Sequence, residues 1–330
     1  MHDIITIGSA TRDAFFEGIT FDYHHQDKDL PTGEVLCLPL GGKMQVKQVT
    51  FTTGGAGTNA AVTFARQELY TGAIVRVGND ISGQEIKREL AQEGVDVSLI
   101  QQDATLPTSY SVVLMAQGAE RTILAFNGAG GNIDPALVPW TALQTRWLYL
   151  DSLAGSEEIL KQALALKQQK GTKLVWNPGT KDLALGLDAL KPYLGSLDIF
   201  LANKEELSEL LGIPYDQETE IFKKLDELVQ GVAIMTKGPK GVVVSDGKTM
   251  YQAGIFPEKA LVDRTGAGDA FGSGFVVGYI QGGIEQGIRV ASANSTSKLE
   301  QLGSKAGILR KDDLADPRWA QLEITTSQFT

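Results

Sequence analysis

Residues 262–275, VDRTGAGDAFGSGF, set Gly266, Ala267 and Gly268 immediately before a single carboxylate, Asp269. A glycine-rich turn brings main-chain N–H groups close to an anion because no Cβ stands between them. Where such a turn opens a helix, the first N–H groups lack intrahelical acceptors and the positive dipole end favours a phosphate. A carboxylate beside a bound phosphate can take the proton of an attacking hydroxyl, so the string suits phosphoryl transfer. The same acid in a first helical turn also serves simply to satisfy the helix dipole, with the glycines as aids to close packing. On this string alone both readings stand.

Ligands of open α/β sheets gather at the carboxyl ends of the strands, so polar residues just after predicted strands are the next candidates. They are Asp13, the turn GGAGTN from Gly54 through Gly55 to Asn59, NKEE from Asn203 to Glu206, and TKGPKG from Thr236 through Gly238 to Gly241. Each has a plainer reading. Asp13 is also an ordinary loop acid, Asn59 a first-turn polar residue, and GGAGTN a tight glycine turn. Asn203-x-x-Glu206 is equally a capping box, in which each side chain bonds the other residue's backbone N–H. Lys237, Lys240 and Arg264 flank the phosphate elements and read by default as solvated surface charges. His24-His25 has no third ligand beside it and reads as a solvent-facing loop rather than a metal site.

These residues need a frame to hold them. DIITIGSA is a short buried-strand pattern closing on Gly-Ser. From Thr11 to Thr53 turn signals, β-branched residues and alternation such as KMQVKQVTF predict antiparallel strands joined by loops. GTNAAVTFARQEL is helical and AIVRVG a strand; Asp80 then opens a helix in which Ser82 and Glu85 have capping-box spacing. A second β-rich stretch, Asp96 to Asn127, predicts a hairpin over TSYSVVLMAQGAERTILAF with its turn at QGAE.

Strands and helices then alternate: RWLYLD, SEEILKQALALKQQKG, TKLVWN, LDIFLAN, KEELSELLG, GVAIMTKG. GVVVSDGKTMYQA predicts a hairpin about Asp246-Gly247, and two long helices start near Gly268 and Gly283. The polar tail, 320–330, is expected to be poorly ordered. Alternation of this kind implies parallel βαβ units with helices on both sheet faces. The expected fold is therefore α/β: one doubly wound domain over 1–330, a mostly parallel sheet sandwiched by helices. A small β-sheet lid would be formed by insertions at 12–53 and 96–127.

Composition narrows the function classes. Thirty basic and forty acidic side chains leave a formal net charge of −10, which disfavours nucleic acid and anionic membrane as partners. An anionic substrate then needs a local positive site of N–H groups, a few cations and a metal. The single cysteine, Cys37, excludes an intrachain disulfide and a Cys-based zinc site. The N-terminal apolar run is too short and too acidic for a signal peptide, and no apolar stretch nears the roughly 20 residues of a membrane span. A cytoplasmic protein is expected. A P-loop string and the protein-kinase signature set are both missing, and IGSATRDAF has one glycine where a dinucleotide-binding turn needs three.

VDRTGAGDAF closely resembles the D-T-x-G-A-G-D segment of the ribokinase-like (PfkB) carbohydrate kinase family. The N-terminal strand with its Asp, GGAGTN, Asn-x-x-Glu and the Thr-x-Gly turn follow in that family's order, from Asp3 to about Gly307. The resemblance implies an ATP-dependent kinase that phosphorylates a hydroxymethyl group of a sugar, with Asp269 as base and the Gly266, Ala267 and Gly268 amides as anion hole. It implies sugar contacts from Asp13, Gly54, Gly55, Asn59 and the strand-end acid Asp151. Asn203 and Glu206 correspond to the element that organises Mg²⁺ through water, and Thr236, Gly238 and Gly241 to the turn that contacts ATP. Asp263 and Thr265 match part of a monovalent-cation (K⁺) loop.

The chain departs from the pattern at Ala56, where ribokinase proper has Lys in its glycine loop, which leaves ribose specificity open. It departs again in SANSTSKLEQLGSKAG, which alters the usual short ending of the cation loop while keeping Gly303. The substrate is thus a sugar or a nucleoside, an adenosine-type kinase being the alternative. A sugar-binding regulator that kept the fold without catalysis is the reading from another class. By analogy with the family, a homodimer pairing through the lid is expected, with strand faces such as VVLM buried.

Overall fold

The computed structural model describes residues 1–19, 22–25, 34–116 and 121–328. The chain runs β1 (His2–Gly8), β2 (Thr11–Glu17), β3 (Asp22–His25), β4 (Glu34–Cys37), β5 (Gln48–Gly54) and α1 (Ala56–Arg66). There follow β6 (Thr71–Ile74), β7 (Arg76–Gly78), α2 (Ile81–Gln92), β8 (Gln101–Asp103), β9 (Ser109–Met115) and β10 (Arg121–Phe126). Next come β11 (Thr145–Asp151), α3 (Glu157–Lys170), β12 (Lys173–Asn177), α4 (Thr180–Leu183), α5 (Leu187–Leu194) and β13 (Ile199–Asn203). The remainder is α6 (Lys204–Leu211), α7 (Glu218–Leu228), β14 (Val232–Thr236), β15 (Val242–Ser245), β16 (Thr249–Ala253), α8 (Ala267–Leu299) and β17 (Ile324–Gln328).

Nine strands form the central sheet in the order β17-β16-β15-β14-β13-β12-β11-β1-β6. From β14 to β6 neighbouring strands are parallel, and β15, β16 and β17 complete the edge antiparallel. Successive side chains point to opposite faces, and both faces are apolar, as a sheet covered on both sides requires. Ile5, Ile7, Leu148, Leu150, Trp176 and Phe200 pack with α3, α5, α6 and α7 through Leu160, Leu190, Leu207 and Phe222. Ile4, Tyr149, Val175, Ile199 and Ile234 face α1 and α8, meeting Phe64, Phe275 and Ile288.

The lid is a four-stranded sheet, β10-β9-β2-β5, so both β-rich stretches do contribute to one layer. β9 and β10 make the expected hairpin; its proposed turn, QGAE at 117–120, lies outside the described residues. The second insertion enters the lid later than expected. Asp96 bridges to Gly72, and β8 pairs in parallel with β7, so the lid portion begins at β9. β3 and β4 form a separate ribbon; the side chains of His24 and His25 lie outside the described residues.

Three further local expectations need correction. The cap of α2 is Asp80, whose side chain accepts from the Gly83 N–H, so Ser82 and Glu85 do not form its box. Helices α4, α5 and α7 were not anticipated from the sequence. The tail is ordered where it was expected not to be: Ile324–Gln328 forms β17, antiparallel to β16. A strand there satisfies the edge N–H and C=O groups that β16 would otherwise present to water. The double glycine Gly282-Gly283 breaks α8 into two helical segments, near the expected second start, with Gly283 in the left-handed region at φ 79°. Among the described residues no helix is long and apolar enough to cross a membrane.

Candidate active site

The carboxyl ends of the parallel strands put Gly8, Asp151, Asn177, Asn203 and Thr236 along one edge of the sheet, in register: Gly8 beside Asp151, Asp151 beside Asn177, Asn203 beside Thr236. The lid and the start of α8 meet this edge at the Asp151 end. Asp13 lies in β2 between Thr52 of β5 and Ser111 of β9, buried, with Oδ1 accepting from Thr11 Oγ1 at 2.8 Å. A Cβ at Gly54 would stand 2.1 Å from Asp13 Oδ2, so only glycine leaves that carboxylate its place. Burial raises the Asp13 pKa, opposed by hydrogen bonds from Thr11 and Ser111 and by the Lys305 charge.

Gly55 caps α1, and Asn59 follows in its first turns. The Asn59 Nδ2 donates to Asp269 Oδ2 at 2.7 Å across 210 residues of sequence. Its Oδ1 is buried and has no partner among the described residues, an acceptor waiting for a donor. The start of α8 is therefore tied directly to the start of α1.

Gly266 is the cap of α8, in the left-handed conformation at φ 77°, against Ser304. The Ala267 N–H reaches Arg264 O at a long 3.3 Å, and among the described residues the N–H groups of Gly268 and Asp269 find no main-chain acceptor. A Cβ built at Gly268 meets nothing within 4 Å, so the protein itself does not demand glycine there. Its absence leaves a cradle of free N–H groups open in front of the helix, which suits a phosphate. Asp269 is half-buried, and its own carbonyl accepts from Ser273 Oγ at 2.6 Å. Burial raises its pKa, while the Asn59 bond and the Lys305 and Lys298 charges act to lower it. A carboxyl raised toward neutrality is better matched to act as a base.

Asp151 lies deeper, 1% exposed, with Asn177 Nδ2 at 3.3 Å and Ser152 Oγ at 3.2 Å. Burial and then the Asp269 charge push its pKa well above the ordinary value. The Tyr149 hydroxyl, buried and without a partner among the described residues, feels both acids. The turn after Asp151 is strained, with Ser152 at φ 51° and Ala154 at φ 58°. Asp182 holds it by accepting from the N–H groups of Leu153, Gly155 and Gly179.

At the other end of the edge, Asn203 and Glu206 form the reciprocal capping box of α6: Glu206 N–H to Asn203 Oδ1 at 2.9 Å, Asn203 N–H to Glu206 Oε2 at 2.8 Å. Burial raises the Glu206 pKa against the bond from the Asn203 N–H. Thr236 ends β14; Gly238 and Gly241 follow with φ 56° and 83°. A Cβ at Gly241 would lie 1.9 Å from Ala253 O, so that turn requires glycine. Lys237 is not the solvated lysine expected: its ammonium pairs with Glu218 at 2.8 Å, and Lys204 pairs with the same carboxylate. Lys240 and Arg264 are exposed.

The pfkB family carbohydrate kinase model matches residues 31–311 of the chain. The chain belongs to this family. It is a kinase of the carbohydrate-kinase type, a phosphotransferase with an alcohol group as acceptor. It is 25% identical over 310 residues to a ribokinase of Arabidopsis thaliana, covering 91% of this chain and 77% of that protein. It is 32% identical over 286 residues to a fructokinase of Klebsiella pneumoniae, covering 79% and 90%. The crystal structure of adenosine kinase from Sinorhizobium meliloti superposes with a TM-score of 0.77 at 19% identity, over 94% of this chain and 98% of that one, which shows the ribokinase fold.

Within this pfkB fold the structure brings Asp13, Gly54, Asn59, Asp269 and the Gly266–Gly268 turn together, with Asp151 and Asp269 close enough to influence each other's charge. Asn203, Glu206, Thr236, Gly238 and Gly241 form a separate group two and three strands from Asp151, roughly 10–15 Å at ordinary strand spacing. Sequence reasoning missed Asn177, Tyr149, Asp182, Lys298 and Lys305. Asn177 had a usable signal, because it ends TKLVWN just as Asp151 ends YLD. The two lysines had none, since nothing local distinguishes a buried lysine from a solvated one.

Proposed function

We propose that this chain transfers the γ-phosphoryl group of ATP to a hydroxymethyl group of a sugar, with Asp269 as the general base. The observation that carries the reading is the junction of Asn59 with Asp269 at the open, N–H-rich start of α8. Asn59 Nδ2 fixes one carboxylate oxygen, leaving the other to take the acceptor's proton. The hydroxyl oxygen forms its bond to the γ-phosphorus as the bond from that phosphorus to the β,γ-bridging oxygen breaks, and ADP leaves. Main-chain N–H groups of Gly266, Ala267 and Gly268 receive the charge that develops on the migrating group, Ala267 least well because of its bond to Arg264 O. Donors of this kind contribute about 10²–10³ in rate each, and a positioned base about 10²–10⁴.

Asp13 and the unpartnered Asn59 Oδ1 would accept sugar hydroxyls, with Gly54 and Gly55 allowing close approach and Asp151 behind them. Closure of the lid would keep water from competing as acceptor. Thr236, Gly238 and Gly241 would border the nucleotide. Mg²⁺ is a hard ion usually held through a carboxylate, waters and substrate phosphates. Glu206, one carboxylate oxygen engaged by its capping box, fits that mode with Asn203 beside it. When bound, the ion neutralises phosphate charge.

One face of the lid aligns Phe51, Ala14, Val112 and Leu124 across the strands; Ala14 is buried there, while Phe51 and Leu124 are 56% and 57% exposed. A second copy of the chain would cover it.

The test is ADP release over a panel of sugars and nucleosides, with wild type and Asp269→Asn. Acceptor-dependent release with a sugar, abolished by D269N while ATP affinity stays near wild type, is expected. Preference for a nucleoside would make the chain an adenosine-type kinase, and binding without turnover a regulator. Undiminished turnover in D269N would remove Asp269 as base.

A further inference from the structure

Lys298, at the end of α8, is 0% exposed. Its ammonium donates to Asp263 O at 2.8 Å and to Gln301 O at 3.2 Å, and lies 3.5 Å from Asp263 Oδ2. Asp263 is also 0% exposed, and its remaining bonds are filled. Oδ1 accepts from the Thr265 N–H at 2.9 Å and from Thr265 Oγ1 at 2.7 Å, and Oδ2 from the Gly303 N–H at 3.0 Å.

This is the loop in which the family resemblance implies a monovalent cation, and the residues present do not fit one. An ion there needs the inward carbonyl and carboxylate oxygens. Three of them already surround the three N–H donors of a tethered ammonium. A metal ion sharing that cage would stand against a like charge in a place closed to water, where repulsion is poorly screened.

We infer that the Lys298 ammonium is the built-in cation of this loop, a positioning residue that braces the start of α8 for phosphoryl transfer without a monovalent metal ion. The inference rests on the phosphotransfer reading above. The bracing is traceable bond by bond. The Val262 and Asp263 N–H groups both reach Leu299 O, at 2.8 and 3.2 Å, so residues 262–263 lie on the end of α8. Lys298 joins the same two segments through Asp263 O and Gln301 O. Gly266, three residues after Asp263, packs so closely on Ser304 that a Cβ would come within 2.9 Å of the Ser304 Cβ. Displacing Asp263 therefore displaces the cap of α8, the free N–H groups and Asp269 with it. The Lys298 charge also acts on the Asp269 carboxylate directly.

The experiment compares wild type and Lys298→Ala in potassium, sodium, ammonium and choline chloride at equal ionic strength. It reads the thermal midpoint, ATP-analogue affinity by calorimetry, and ADP release with the best acceptor of the panel. Wild type is expected to show the same midpoint, affinity and turnover in every salt; a potassium-specific rise in any of them overturns the inference. K298A is expected to lose turnover by about 10–100-fold, the scale for removing a supporting partner of an active-site group. Potassium or ammonium should restore much of that loss in K298A, and choline none. A folded K298A that keeps full turnover in choline, or that no small cation improves, also overturns it. If K298A does not fold in any salt, the wild-type comparison decides. Absence of acceptor-dependent ADP release in every salt would instead count against the phosphotransfer reading, while the melting curves still report on the cation.

Discussion

At the residue scale, the decisive quantities are the charge states of two acids, Asp151 and Asp269, whose charges act on each other. Burial raises the pKa of Asp269 above 3.8, so the ionised base is lost on acidification earlier than an ordinary aspartate would be. The expected kcat/KM profile against pH falls on its acid limb at a value above 3.8; a limb at or below that value contradicts the assignment. Asp151 is raised further, and for it the consequence is stability. Above 3.8 the unfolded chain has released this proton while the folded chain retains it. The group's contribution to stability therefore declines as pH rises from that value toward the raised folded pKa. Asp151→Asn removes the titration. Its melting temperature should gain on wild type as pH increases through this range, whereas a constant or shrinking difference would show that Asp151 ionises without cost.

At the scale of elements, the start of α8 separates two kinds of glycine. Gly266 has φ 77° and a Cβ there would press on Ser304, so its substitution strains the fold. Gly268 has neither constraint. Gly268→Ala is expected to leave the melting temperature unchanged or raised, since Ala gains up to about 1 kcal/mol over Gly in a helix. Turnover should nonetheless fall by about 10²-fold, because the methyl group fills the cradle and misplaces the phosphate. Loss of stability without loss of turnover would mean that the cradle is packing rather than site. The capping box of α6 has this double character too: Asn203 and Glu206 close the helix end and present a carboxylate at the sheet edge with the same atoms. This is why spacing alone left cap and metal role undecided.

For the whole molecule, the parallel sheet supplies a rigid edge and the lid a second wall. The outer face of the lid, with Phe51 and Leu124 more than half exposed, is an apolar surface that a second copy would bury. Sedimentation of wild type as a dimer, and of Leu124→Glu as a monomer, is expected; a monomeric wild type would dismiss the lid as an interface. VVLM splits between the faces, Val113 pointing inward and buried, Val112 aligned with Phe51 and Leu124 outside.

By itself the sequence determined most of the order of strands and helices, the short α4, α5 and α7 and the tail strand β17 excepted, together with the two β-rich stretches and the strings GGAGTN, Asn-x-x-Glu and GAGD. Such features are local: a glycine's φ, a cap or a two-residue alternation is decided by neighbours along the chain. Tertiary structure alone decided that Asn59 meets Asp269, that β17 orders the tail, and that Lys298 and Lys305 are buried. Whether a lysine is a solvated surface charge or an internal cation depends on which distant segments close over it. That exclusion of water, which sets both the strength of the pair and the charge state of each acid, is encoded in no short stretch of residues.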